Sequence, residues 1–183
     1  MRKLSVLFAV AVILLLSGMY YYNEKYVPTI EGAIGKTSIT YDEIYHVTET
    51  KNRTVILYGE DDALSVGLLK KTIFGYKWIF GSGSVHFESG QPPVSLSITN
   101  LPLENRGDTE HYVSVSFGVI RDDRIDQLQV KNNHQDTVIA NMVDTPKGRI
   151  WYSFSETPIN ADPQLTGLDR SGNVVYDNFD ITP

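Results

Sequence analysis

No cysteine occurs among the 183 residues. That excludes a disulfide framework, a thiolate metal site and a cysteine nucleophile. An exported domain of this composition is held together by its core alone. Also absent are the G-x-S-x-G elbow, S-x-x-K, H-E-x-x-H, a Walker loop and G-x-G-x-x-G. Histidine is scarce, with His46, His86, His111 and His134. None stands at a spacing typical of a metal helix or hairpin. His86-Phe87-Glu88 puts two polar side chains on one strand face but offers no third ligand. The sequence thus indicates no metal and no cofactor.

Charge is missing from residues 4–22, LSVLFAVAVILLLSGMYYY. As a helix this run is about as long as a hydrocarbon core of roughly 30 Å is thick. Arg2 and Lys3 precede it, and Tyr20, Tyr21 and Tyr22 close it where an aromatic belt would lie. The expectation is a signal anchor over residues 1–23, with the N-terminus cytoplasmic and the remainder outside the cell membrane. The rival is a cleaved signal peptide and a secreted product, although no A-x-A-like site follows the run. Leu16-Ser17-Gly18 has the form of a lipobox, but position 19 is Met19, so thioether lipidation is excluded.

Acidic residues dominate the rest. The chain carries a net charge of −6, and setting aside Arg2 and Lys3 leaves 14 basic against 22 acidic residues. Nucleic acid is therefore not an expected partner. The acidic groups Glu60-Asp61-Asp62 and Asp122, Asp123 and Asp126 sit at turn positions, where Asp bonds its own backbone. Calcium is the alternative for each. Asp169, Ser171 and Asn173 share the odd spacing of a calcium loop but lack its terminal acidic ligand.

Residues 24–36 contain Pro28, Gly32 and Gly35 and read as an extended or irregular stalk. Residues 37–183 form the expected extracytoplasmic domain. Short β-type runs at 54–58, 64–68 and 73–80, with a turn near 70–72, read as a meander. Gly81-Ser82-Gly83-Ser84 punctuates the chain and divides two candidate sub-units. Further strands are expected at 94–98 and at 111–120, where Val113, Val115, Phe117 and Val119 share a face. A polar loop is expected at 104–110. After a turn at 121–124, Ile125, Leu128 and Val130 belong to a partner strand. Runs at 137–143 and 149–154 follow, then a hairpin of 165–169 with 173–176. The fold class is all-β, mainly antiparallel, sandwich-like or a small barrel with meander connections, preceded by one N-terminal transmembrane helix.

Several phrases carry a resemblance. They are Leu57-Tyr58, Ile73-Phe74-Gly75-Tyr76-Lys77-Trp78, Gly118-Val119-Ile120-Arg121-Asp122, Gly148-Arg149-Ile150-Trp151-Tyr152, Gly167-Leu168-Asp169 and Gly172-Asn173-Val174-Val175-Tyr176. Together they resemble a group of small exported or membrane-anchored proteins of Gram-positive, spore-forming bacteria. The resemblance implies an envelope location and a β fold, and assigns no functional residue.

Phe74, Tyr76, Trp78 and Phe80 are two apart and would line one strand face. That face is either core or an exposed platform for an envelope protein or a glycan. The functional expectation is a non-catalytic binding module at the cell envelope, in contact with the membrane through residues 4–22. The alternatives are an envelope hydrolase assembled from scattered residues and a structural or stress-related surface protein.

Overall fold

A computed structural model describes residues 2–50, 53–88, 92–102, 112–132, 136–155 and 157–179. The expected loop at 104–110, His111 and His134 lie outside the described residues. The chain opens with helix α1 (Arg2–Lys25) and a short helix α2 (Ile30–Gly35). Among the described residues twelve strands follow, and every pairing between them is antiparallel.

The transmembrane helix is corrected. Among the described residues no helix is long and apolar enough to cross a membrane. The aliphatic run of α1 ends at Leu16. Ser17, Gly18, Tyr20 and Tyr22 then follow it.

The first sheet is a meander of β1 (Glu43–Thr50), β2 (Arg53–Glu60), β3 (Ala63–Thr72) and β4 (Gly75–His86), in that spatial order. The second holds β5 (Ser97–Pro102), β6 (Tyr112–Ile120), β10 (Gly148–Ser155) and β9 (Asn141–Thr145). The third orders β12 (Val174–Asp177), β11 (Gln164–Leu168), β7 (Gln127–Lys131) and β8 (Val138–Ile139).

These sheets are stacked. Val55, Leu57, Leu64, Val66 and Leu68 of the first pack against Val113, Val115, Phe117, Val119, Ile150 and Tyr152 of the second. On the far side of the second sheet, Ile120 and Trp151 pack with Leu128, Val130 and Leu165 of the third. On the outer side of the first, Ile56, Tyr58 and Leu69 meet Ala33 and Ile34 of α2. The two inner sheets are thus covered on both faces. That is why β2 is an unbroken apolar run rather than an alternating one. The arrangement is a layered sandwich, and the barrel alternative is not what forms.

Residues 24–36 are not an irregular stalk. Val27 exchanges backbone hydrogen bonds with Tyr76, its N–H donating at 2.9 Å and its carbonyl accepting at 2.7 Å. Thr29 caps α2, its hydroxyl accepting the Gly32 N–H at 3.0 Å. A six-residue helix with two glycines is unstable alone, and burial of Ala33 and Ile34 on the first sheet holds it.

Gly81-Ser82-Gly83-Ser84 lies inside β4. The glycines are there for space. A Cβ at Gly81 would press on the Trp78 ring, and one at Gly83 would lie 2.6 Å from the Phe117 ring. Three other expectations are displaced. The 94–98 strand is reduced to a bridge between Val94 and Ile120, with β5 starting at Ser97. The chain after 121–124 does not pair with β6, because β7 belongs to the third sheet. The 137–143 run is divided at Ala140, with β8 in the third sheet and β9 back in the second.

Two arginines fix these corners. Arg121 donates to the carbonyls of Phe87 at 3.4 Å, Glu88 at 3.1 Å, Pro92 at 2.9 Å and His86. Arg149 donates to the carbonyls of Ile125 at 2.7 Å and Asp122 at 3.2 Å.

Candidate interaction surface

Among the described residues, half of the sixteen exposed large hydrophobic side chains belong to α1. Val10, Val12, Ile13, Leu14, Leu15 and Leu16 are all exposed, and Tyr20 and Tyr22 follow them. A single exposed leucine needs no explanation, but a contiguous helical run does. The run contains no charge, and the first basic residue after it is Lys25, in the last turn.

The bridge between Val27 and Tyr76 sets where α1 ends. It adds one residue of chain to the start of β4, beside the two-residue turn 73–74. Gly75 allows this approach. Its φ is +112°, and any Cβ would collide with the Val27 carbonyl. The turn presents Ile73 and Phe74 outward, 93% and 49% exposed. Thr72 stiffens it, its hydroxyl accepting the Phe74 N–H at 3.2 Å and donating to the Gly75 carbonyl at 3.3 Å.

Phe74 meets α1 directly. Its ring stacks on Tyr22, which lies 6.0 Å from Tyr26 in a second stacked pair. Between turn and helix runs a groove of about 590 Å³ lined by Ala11, Leu14, Leu15, Gly18, Tyr22 and Phe74. Its walls are almost wholly apolar. A second cleft, about 290 Å³, adjoins the end of α1, and three lysines line it: Lys25, Lys36 and Lys77. Tyr76 and Trp78 also line it. Nearby, Lys71 pairs with Glu49 at 2.7 Å and sits 5.9 Å above the Tyr76 ring. The Glu49 carboxylate holds the Lys71 ammonium above the usual lysine range.

The four aromatics expected on one face are divided. Phe74 is in the turn, outside the strand. Tyr76 and Trp78 are half-buried beside α2. Trp78 pairs with Leu69, whereas Phe80 pairs with Leu68, so Ile79 is the extra residue of a bulge. Paired residues share a face. Leu69 faces α2 and Leu68 faces the second sheet, so Phe80 is turned away from Trp78. It remains 40% exposed at the sheet edge.

Ile73 is the residue that strand reading missed. The signal was present: two residues followed by a glycine, between two β-type runs, is the spacing of a tight hairpin turn.

Elsewhere the polar groups serve the backbone. Asp62 accepts the Glu88 N–H at 3.0 Å, and Asp42 accepts the Asp61 N–H at 2.8 Å. Asp122 pairs with Arg124 at 2.7 Å, which holds its carboxyl below the usual carboxylate range. Asp126 pairs with Arg170 at 3.3 Å. Asp169 takes the Ser171 and Asn173 N–H groups at 2.8 and 2.9 Å and the Asn173 side-chain amide at 3.0 Å. The Asn173 amide is the main reason its carboxyl lies low. Among the described residues no group of three potential metal ligands converges. His86 is exposed, and His46 shares a 3.0 Å hydrogen bond between its Nε2 and the Tyr152 hydroxyl.

No family model matches the chain, no curated protein matches it, and no solved structure matches its fold.

Proposed function

We propose that this protein is a non-catalytic binding module of the bacterial cell envelope, in which α1 associates with lipid and the layered β domain meets an envelope protein or glycan. The observation that carries this reading is the uncharged, exposed run of α1 ending in Tyr20 and Tyr22. Apolar surface of that extent is costly in water and favourable against acyl chains. The resemblance to exported and membrane-anchored proteins of Gram-positive bacteria points the same way. The polar groups of the β domain support a binding role. Asp42, Asp122, Asp126 and Asp169 are engaged in turns and ion pairs, as expected of a scaffold.

Fractionation of expressing cells tests the reading. The full-length chain should sediment with membranes, and protease added to protoplasts should digest the β domain. Recovery of the intact chain in the soluble fraction, protected from external protease, overturns it.

A further inference from the structure

We propose that the β3–β4 turn is a second lipid contact, with Ile73 and Phe74 entering the interfacial layer beside α1. This rests on the lipid association proposed for α1 and adds a separate element to it. Four observations converge. First, Ile73 is 93% exposed at the tip of a hairpin, an unfavourable place for a β-branched apolar side chain in water. Second, the tip is not isolated. The stack of Phe74 on Tyr22 joins it to the apolar side of α1, so helix and turn form one continuous surface around the groove. Third, aromatic side chains gather at the junction: Tyr22 stacks on Phe74 and on Tyr26, and Tyr76 and Trp78 line the adjoining cleft. Tyr and Trp favour the level of lipid headgroups, where one end of the ring is wet and the other apolar. Fourth, the chain is acidic overall, yet Lys25, Lys36 and Lys77 surround the cleft adjoining the turn. Positive charge gathered there is complementary to lipid phosphates.

The geometry also explains why the tip is held rigidly. The Thr72 hydroxyl bonds both sides of the turn, and the Val27 bridge ties the chain after α1 to Tyr76, two residues beyond Phe74. A tip fixed relative to a lipid-bound helix enters the interface at a set depth.

The absence of cysteine makes the test direct. Full-length Ile73→Cys is labelled with an environment-sensitive fluorophore and mixed with vesicles of phosphatidylglycerol and phosphatidylcholine. Some vesicles carry a quencher on the upper acyl chain. Ser171→Cys, in the β11–β12 turn of the third sheet, is the control. Because Ile73 is so exposed, the substitution leaves the fold intact, and circular dichroism checks this. The expected result is a blue shift and strong quenching at position 73, with neither at 171. Vesicle-bound protein whose position-73 label stays unquenched overturns the proposal and leaves lipid association of α1 standing. Protein that does not sediment with vesicles overturns both. A blue shift without vesicles that grows with protein concentration assigns the face to a second copy of the chain, and this too overturns the proposal.

Discussion

The ring of Tyr22, near the end of α1, lies stacked on the ring of Phe74, with centroids 4.6 Å apart and planes 25° from parallel. This pair links the helix to a turn 52 positions further along the chain, and it carries little of the β-domain core. Phe74→Ala should therefore loosen α1 without melting the sheets. A stacked pair is worth about 1 kcal/mol. Limited proteolysis between Lys25 and Pro28 should accelerate by roughly fivefold, since cleavage follows the population of the open form. Thermal unfolding of the β domain should be unchanged.

Trp151 is fully buried between the second and third sheets, where its indole N–H donates to the Ser95 carbonyl at 3.0 Å. The indole lies over Gly118, where a Cβ would sit 2.7 Å from Nε1 and collide with the same carbonyl. Gly118→Ala should destabilise the domain by about 2–3 kcal/mol through overpacking. Trp151→Phe removes the donor and leaves a carbonyl unpaired, at about 1–3 kcal/mol. Urea unfolding followed by circular dichroism measures both.

Arg121 joins the loop after β4 to the corner after β6 by donating to four backbone carbonyls. Its planar fork is suited to several acceptors at once, and an ammonium is not. Arg121→Ala should cost about 2–3 kcal/mol, with hydrogen bonds to a charged donor being the stronger kind. Arg121→Lys should recover less than half of that loss. Hydrogen exchange at the Arg121 amide, which donates to Pro93 at 2.8 Å, should quicken in both variants.

Burial holds the His46 imidazole below its ordinary value, in contact with the Tyr152 hydroxyl. Below its unfolded pKa of about 6.5, the unfolded chain takes up a proton that the folded one resists. This group's contribution is therefore fully present above that value and is lost as the pH falls through the window beneath it. Denaturation midpoints should drop between pH 7.5 and pH 5.5, about one unit to either side of that value. His46→Gln should flatten this part of the profile, and an unchanged slope would refute the role given to His46.

The strand faces were legible because alternation is local. Val113, Val115, Phe117 and Val119 read as one face and pack as one face. The strand order of the first meander and the last hairpin was legible too, with Gly172 at a φ of +82° as its turn requires, but the turn expected near 70–72 falls at 73–74, because 70–72 still pair with β4. The aromatic strand misled for an equally local reason. Period-two reading assumes an unbroken pleat, and the bulge at Ile79 breaks it. Trp151 and Tyr152 are sequence neighbours on opposite faces, and both are buried because the second sheet is covered on both sides.

Composition and order of residues determined that this chain forms paired strands and that residues 4–22 are apolar and uncharged. Which sheet each strand joins was decided only in three dimensions. The departures at 121–126 and at Ala140 depend on partners such as Arg149, Leu128 and Leu165, far away in sequence. Backbone pairing is indifferent to side chains over long separations, so sheet membership follows from which buried surfaces can be satisfied together. The same holds for the apolar tip at Ile73. Its neighbours in sequence made it a strand residue, and the docking of Val27 on Tyr76 made it part of a surface shared with α1.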